Sequence, residues 1–162
     1  MSKRDIDRIQ KLIRHIHNVQ ENSIILAERL MEKGEFMFAK KLVANCMLHD
    51  NSKFFAIEWD NLVAENPDEK LLKEAIMQHN RTNNHHPEAW DKGIHGMPRE
   101  ALAEMLLDWK ARSSEMGTDL REWVNETAAK RFGYTKDDQV YKTMMEFVNM
   151  LLLPPFKPVS EM

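Results

Sequence analysis

The sequence predicts an all-α fold, with six or seven helices in a single compact domain. Long stretches repeat apolar residues at intervals of three and four, which is the spacing of one face of an α-helix. No run alternates apolar and polar residues as a half-buried strand does, and no Asn-Gly or Asp-Gly dipeptide marks a hairpin. Only five glycines and six prolines interrupt the 162 residues, so we expect long helices.

The composition is that of one soluble domain, with 43% hydrophobic and 30% charged residues. A net charge of −3 without a run of Lys or Arg argues against extended nucleic-acid binding. The single cysteine, Cys46, excludes an internal disulfide. The N-terminus lacks the apolar core of a signal peptide, and the longest apolar run is too short to span a bilayer. We therefore expect a cytoplasmic protein without a membrane segment.

The first helix is expected between Ser2 and Gly34. Ser2 and Asp5 have the spacing of a capping box, and glycine commonly follows the last turn of a helix. His15 lies along the edge of the apolar face, whereas His17 is rotated toward solvent. The apolar face comprises Ile9, Leu12, Ile16, Val19, Ser23, Leu26 and Leu30.

A second helix is expected over residues 35–48, and it delivers His49 and Asp50 at its end. The spacing of its apolar residues predicts a buried face. The side chains expected on that face are Phe38, Leu42, Val43, Cys46 and Met47.

Residues 52–65 predict a further helical segment. The next helix is expected to begin at Pro67, with Asn66 as its cap, and to reach His79. Residues 80–97 are rich in Asn, His and Gly and lack a helical repeat, which predicts a loop of the kind that often carries a site.

The rest of the chain predicts three more helices and a tail. The expected helices cover residues 98–114, 118–131 and 135–153. Gly133 is expected to end the second of them. The domain then comprises residues 1–153, and residues 154–162 form an irregular tail.

His49 and Asp50 form a candidate metal-binding pair. Consecutive side chains of a helix project about 100° apart, so both can reach one ion beside the helix end. An imidazole nitrogen and a carboxylate oxygen suit Mn, Fe, Zn, Ni or Mg. Helix capping is the alternative role for this pair. Asp108 is flanked by apolar residues, which predicts that it is buried. A buried carboxylate needs a metal ion or an arginine as its partner. The alternative is that Asp108 lies at a solvated helix edge.

The histidines strengthen the prediction of a metal site. All seven precede residue 96, and five of them lie where helix faces or helix ends can converge. These five are His15, His49, His79, His85 and His86. A histidine on an apolar face is commonly a satisfied core residue, but five such histidines with Asp50 and Asp108 are better explained by a shared metal site.

The order His15, His49-Asp50 and Asp108 resembles the H…HD…D pattern of the HD superfamily of metal-dependent phosphohydrolases. The segments HDNSKF, HNRTNNHHPEAW and EMLLDW are similar to a small, largely uncharacterised family of HD-like proteins from phages and bacteria. The resemblance covers roughly residues 12–112. It implies an all-α HD domain in which those four residues bind a divalent metal.

The same resemblance implies a function and further site residues. The function is hydrolysis of a nucleotide or another small phosphate ester through a metal-activated water. Lys53 would stabilise charge on the phosphate, and His79 with His85 or His86 would hold a second metal. The expected cofactor is one or two divalent ions: Mn, Fe, Zn, Co or Ni, with Mg also compatible.

Two carboxylates are expected to act around the metals. Glu58, about one turn beyond Lys53, and Glu88 could orient water or metal-binding histidines. The alternative is that both carboxylates are exposed surface residues without a role in the site. No Gly-rich phosphate loop or Rossmann fingerprint occurs, so no organic cofactor is expected.

Two other functions fit the pattern. Some HD proteins with the order H…HD…H…H…D hold two irons and oxidise a substrate with O₂. A phage-derived interaction module without catalysis is the other alternative, in which Met-rich helices serve a partner or a homodimer. The chain lacks the Gly-Tyr-Pro segment of cyclic-dinucleotide phosphodiesterases after its double histidine, which argues against that activity.

Overall fold

The computed structural model describes residues 2–154 of the chain. All regular secondary structure in this range is helical, and seven α-helices pack together, which confirms the all-α prediction. The irregular tail expected over residues 154–162 lies, apart from Pro154, outside the described residues. Within the described part of the chain, no helix is long and apolar enough to cross a membrane.

The helices follow the chain in the expected order. Six of them are α1 (Lys3–Glu32), α2 (Phe36–Cys46), α3 (Ala56–Leu62), α4 (Glu69–Thr82), α5 (Arg99–Met116) and α7 (Gln139–Leu151). Helix α6 consists of three contiguous segments: Leu120–Glu122, a π-helical stretch Trp123–Ala128, and Ala129–Phe132. Short 3₁₀ turns cover Asn51–Phe54, Pro87–Ala89 and Gly93–Gly96.

Helix α1 begins and ends as its sequence predicts. The Ser2 side chain accepts a hydrogen bond from the backbone N–H of Asp5, whose carboxylate accepts one from the Ser2 backbone. Gly34 follows the helix with φ 81°, a conformation that costs glycine little. His15 is completely buried and His17 is exposed, as the helical periodicity predicts.

Helix α5 is the centre of the fold. Residues 101–107 are all buried, because α1, α2 and α7 pack around this part of the helix. Helix α3 packs against α4, and α4 packs against the turn Pro87–Ala89. Two buried polar side chains, His15 of α1 and Glu104 of α5, contact His49 in the segment that follows α2.

The chain turns earlier after α2 than the sequence predicts. Helix α2 ends at Cys46, and residues 47–50 form turns that leave Met47 exposed rather than inward. The helical segment expected over residues 52–65 is interrupted instead of continuous. Asp50 and Ala56 adopt left-handed conformations, with φ 56° and φ 48°, and they bound the 3₁₀ turn that separates α2 from α3.

Aspartates set the starts of the later helices. Asp68, rather than the expected Asn66, caps α4, because its carboxylate accepts backbone N–H bonds from Lys70 and Leu71. Helix α6 starts at Leu120 because Asp119 caps it by accepting the backbone N–H of Glu122.

Helix α7 starts at residue 139 instead of 135. Asp138 accepts hydrogen bonds from the backbone and hydroxyl of Thr135, which holds residues 135–138 in a turn. Gly133 follows α6 with φ 70°, as predicted.

Candidate metal centre

Five segments bring the expected ligand residues together. His15 comes from α1, His49 and Asp50 from the turn after α2, and His79 from α4. Potential ligand atoms of His15, His49 and Asp50 lie within 4.8 Å of one another. The loop after α4 contributes two more histidines, and these form a second set of potential ligands with His79 and Asp50. This second set comprises Asp50, His79, His85 and His86.

Asp50 belongs to both sets and lies between them. Its Oδ2 is 3.6 Å from Nε2 of His49. Its Oδ1 is 3.2 Å from Nε2 of His79 and 3.5 Å from Nε2 of His85. The left-handed backbone at Asp50 is tolerated because aspartate visits this region more readily than most residues. The two oxygens of one carboxylate thus face different imidazoles.

Asp108 closes the first set from α5. Its Oδ1 lies 2.9 Å from Nε2 of His15. Only 16% of its side chain is exposed, so the solvated helix edge considered for this residue is wrong. The four residues of the H…HD…D pattern therefore lie in one cluster.

In four of the histidines, a glutamate carboxylate lies against Nδ1, the nitrogen that faces away from the cluster. Nδ1 of His15 lies 3.0 Å from Glu115, and Nδ1 of His79 lies 2.8 Å from Glu58. A carboxylate only accepts hydrogen bonds, so each of these Nδ1 atoms carries the proton. The lone pair of a neutral imidazole is then on Nε2, which points into the cluster.

Glu104 serves two histidines at once. Its Oε1 is 3.1 Å from Nδ1 of His49 and 3.3 Å from Nδ1 of His85. Ser52 donates to Glu58 and Asn83 donates to Ser52, which fixes the carboxylate that orients His79.

The Nε2 atoms have no hydrogen-bond partner within residues 2–154. They are buried in all five histidines of the cluster, together with Oδ1 of Asp50. A buried polar atom without a partner costs free energy, and five that face one another would not persist without compensation. A cation bound among them removes the cost, since neutral imidazole nitrogen and carboxylate oxygen are metal donors.

The spacing of these atoms also fits an ion. Ligand distances of about 2.1 Å place neighbouring donors of an octahedral or tetrahedral ion about 3.0–3.4 Å apart. The observed separations between Nε2 atoms and Asp50 or Asp108 oxygens run from 2.9 to 3.6 Å. The donor set therefore fits a divalent ion.

Protonation in the metal-free protein follows from burial and the carboxylates. Burial alone would lower the pKa of His85, but Asp50 and Glu104 outweigh it and raise this pKa to about 9. Burial opposes ionisation of Asp50, yet the imidazoles of His79 and His85 beside its Oδ1 hold its pKa well below the usual value. Burial, with the charges of His85 and His79, lowers the pKa of His86 to about 3. His86 is thus a neutral donor at pH 7.

Of the three other expected site residues, Lys53 and Glu58 lie at the cluster and Glu88 does not. Lys53 Nζ lies 2.5 Å from Asp50 Oδ2, beside the cluster. Glu58 is buried, and its carboxylate lies 2.8 Å from Nδ1 of His79, one of the histidines that it was expected to orient. The placement expected for Glu88 is wrong. Its exposed carboxylate lies 3.6 Å from Arg131 instead of orienting a histidine, because the turn Pro87–Ala89 directs it away.

The sequence patterns did not indicate two glutamates that contact the cluster, Glu104 and Glu115. Glu104 lies one turn before Asp108 on α5, and Glu115 lies two turns after it. All three share one helix face by their spacing of four and seven residues. That spacing was the available signal, but isolated glutamates on a charged helix usually lie on the surface.

A cleft of about 260 Å³ opens beside the cluster. Lys53, His79, His86, Asp108 and Arg112 line it. Arg112 follows Asp108 by one turn of α5 and its guanidinium lies 3.3 Å from Glu115. The cleft thus joins metal-donor atoms to two cationic side chains.

Comparison with known proteins identifies a family whose function is unknown. The model of the family of unknown function DUF5662 matches residues 4–153. No curated protein and no solved structure matches the chain at a significant level.

Proposed function

Because the chain belongs to DUF5662, a family of unknown function, we propose its activity from the geometry of the cluster. The protein is a metal-dependent phosphohydrolase that acts on a nucleotide or another small phosphate ester. The position of Asp50 carries this proposal, since its two oxygens face separate sets of imidazole nitrogens. Asp50 would therefore serve two metal positions, and two-metal sites occur in phosphatases and nucleases, where they supply Lewis-acid stabilisation of the reacting oxygens.

The donor set supports one or two divalent ions. His15, His49, Asp50 and Asp108 would hold the first, and Asp50 with His79, His85 and His86 the second. A set rich in imidazole favours Mn, Fe, Zn, Co or Ni, and its carboxylates also accept Mg. A bound ion would polarise a phosphoryl oxygen and lower the pKa of a water molecule.

The side chains of the cleft support a phosphate substrate. Lys53 is only 16% exposed and brings an ammonium group to the edge of the cluster. Arg112 adds a guanidinium on the same cleft, and its planar fork suits phosphate oxygens. Two cations beside metal donors stabilise the charge that a transferring phosphoryl group carries.

The resemblance to the HD superfamily supports the same proposal. The residues that match its motif, from His15 to Asp108, are the ones that converge around Asp50. Lys53 matches the HDxxK form of the motif and lies against the same carboxylate. The geometry and the motif therefore favour one activity.

A di-iron oxygenase is the second candidate. The set of Asp50, His79, His85 and His86 adds imidazoles beyond those of the H…HD…D pattern. Nitrogen-rich sites with carboxylates hold iron for reaction with O₂ in several protein classes. Iron at about two ions per chain, with the absorption of an oxygen-bridged pair, would favour this function over hydrolysis.

The proposal is tested by phosphate release. Metal-free protein is loaded separately with Mn, Co, Ni, Zn, Fe(II) and Mg and assayed against nucleoside monophosphates, nucleoside triphosphates and alkyl phosphates. We expect release with at least one transition metal, and its loss in Asp108→Asn. Metal-loaded protein that hydrolyses none of these esters would contradict the phosphohydrolase and leave a metal-binding interaction module or an oxygenase.

A further inference from the structure

A second cavity adjoins the metal-side cleft. It measures about 520 Å³, within the usual range for a small-molecule site. It shares Asn80, His86, Asp108 and Arg112 with the cleft, so the two spaces meet at the metal donors. A molecule whose phosphate lies in the cleft would extend its organic part into this cavity.

Aromatic rings form one wall of the cavity. Trp109 stacks on Phe132 with ring centroids 5.8 Å apart and 12° between the planes. Trp123 meets Trp109 edge to face at 6.0 Å. Large rings at this position bind a flat or apolar group well. The wall therefore favours a ring-sized organic part over a small hydrophilic one.

Helix α6 gives the cavity a negative wall. Glu122 and Glu126 line it, and neither forms an ion pair with a cationic residue in the described range 2–154. The two arginines of the cavity already have carboxylate neighbours: Arg112 lies near Glu115 and Arg131 near Glu88. The carboxylates of Glu122 and Glu126, which have no cationic partner among the described residues, favour an amine and disfavour an anion at this wall of the cavity.

The π-helical stretch of α6 contributes both an aromatic and an acidic side chain to the cavity. Trp123 and Glu126 both belong to Trp123–Ala128 and both line the cavity. Single π-helical turns are rare and are frequent at functional sites, where they redirect side chains. An aromatic face and a free carboxylate thus come from the same irregular turn.

We propose that this cavity binds the alcohol part of the substrate, and that this part is a ring-sized apolar group with an amino or ammonium function. The aromatic wall packs against the ring and attracts the ammonium group by cation–π interaction, and the carboxylates of Glu122 and Glu126 attract its charge. Hydrolysis breaks the bond between phosphorus and the ester oxygen, and water supplies an oxygen to the phosphate and a proton to the alcohol. The proposal rests on the phosphohydrolase function.

Four esters with matched primary alkanol leaving groups test this substrate class. They are ethyl phosphate, 2-phenylethyl phosphate, and 2-phenylethyl phosphate with a para aminomethyl or a para carboxymethyl group. We expect kcat/KM to be about tenfold or more higher for 2-phenylethyl than for ethyl phosphate, because the ring is buried. We also expect the amine to exceed the carboxylate by about tenfold. Equal values for ethyl and 2-phenylethyl phosphate, or a preference for the carboxylate, would overturn the proposal.

Charge-neutral variants assign the preference to α6. In the double variant Glu122→Gln with Glu126→Gln, the ratio of kcat/KM for the amine ester to kcat/KM for the carboxylate ester should fall severalfold. Glu28→Gln, which removes an exposed carboxylate from α1, should keep the full preference. An unchanged preference in the double variant would overturn the assignment.

A binding measurement separates this proposal from the function itself. The phosphonate analogue of the amine ester, which cannot be hydrolysed, is titrated into metal-loaded protein while tryptophan fluorescence is recorded. A fluorescence change without turnover of any ester would contradict the phosphohydrolase but retain the cavity as a ligand site. Turnover of ethyl phosphate without preference for the ring would retain the function and reject the cavity. If the protein shows no turnover and no binding, both the function and the cavity site are rejected.

Discussion

Glu104 lies 3.1 Å from Nδ1 of His49 and so fixes an imidazole whose Nε2 faces Asp50. The same oxygen of Glu104 lies 3.3 Å from Nδ1 of His85, although the two histidines are far apart in the chain. One carboxylate on α5 thereby orients a donor in each of the two sets that share Asp50. Hydrogen bonds of this kind raise the basicity of a metal-binding imidazole.

Substitution of Glu104 should weaken metal binding without removing a ligand. In Glu104→Gln the negative charge is lost but the size is kept, so we expect the affinity for the tightest-bound ion to fall about 10- to 100-fold. Competition with a chromophoric chelator measures this change. Glu100→Gln, one turn earlier on α5 and paired with Lys41 at 2.9 Å, should retain the affinity. Equal affinities for both variants would contradict the role of Glu104.

Metal uptake should depend on pH through His85. The pKa of this imidazole is raised to about 9 in the metal-free protein, so an ion bound at neutral pH must displace its proton. We expect the apparent affinity to increase about tenfold per pH unit between pH 7 and about pH 9, and to level off above that. His86, with its pKa lowered to about 3, adds no proton release in this window.

The sign of this effect on stability is opposite in the metal-free protein. A raised pKa stabilises the folded state below the unfolded value of 6.5, and this contribution is lost as the pH rises toward about 9. Chelator competition and urea unfolding at several pH values measure the two trends. An affinity that does not change with pH, or that changes equally in His85→Gln, would contradict the assignment.

Lys53 should matter for turnover rather than for metal binding. In Lys53→Met the ammonium group that lies against Asp50 is lost, while all the proposed ligands remain. We expect kcat/KM for phosphate esters to fall about 10²-fold with metal content unchanged, as for removal of one group that stabilises transition-state charge. Lys70→Met removes a surface lysine of α4 and should leave both quantities unchanged. Loss of metal in Lys53→Met would show a structural role instead.

Ala56 should be a site where glycine stabilises the fold. Its φ of 48° costs an alanine about 1–2 kcal/mol, whereas glycine loses about 0.5–1 kcal/mol more backbone entropy on folding. The balance predicts that Ala56→Gly raises the free energy of unfolding by about 0.5–1 kcal/mol. Urea denaturation of the metal-free protein measures it. Ala75→Gly, in the buried face of α4, should instead be destabilising; a loss of stability in Ala56→Gly would contradict the strain.

The sequence predicts the long elements of this fold well because their signals are local. The cap formed by Ser2 and Asp5 and the stop at Gly34 require only neighbouring residues, and both occur. The interruption at Asp50 was not predictable, since this residue with its left-handed backbone contacts His79 of α4 and His85 of the loop after α4, which are distant in the sequence. The π-helical part of α6 also lacks a local signature that would distinguish it from an α-helix.

The site is predictable in its donors and less so in their support. Helical periodicity separates His15 from His17, and the structure buries the first and exposes the second. No periodicity applies to a loop, so the inward placement of both His85 and His86 required the tertiary structure. Glu104 acts through contacts with two distant segments, which the sequence does not reveal.

Metal content is the most direct test of the central claim that these residues bind an ion. Protein purified without chelator is analysed for Mn, Fe, Co, Ni and Zn, beside Asp50→Asn and the control His17→Gln, which changes an exposed histidine of α1. We predict one or two ions per chain in the wild type and in His17→Gln, and severe loss in Asp50→Asn. A folded wild-type protein that contains no transition metal, and takes up neither a transition metal nor Mg when they are added, would contradict the account.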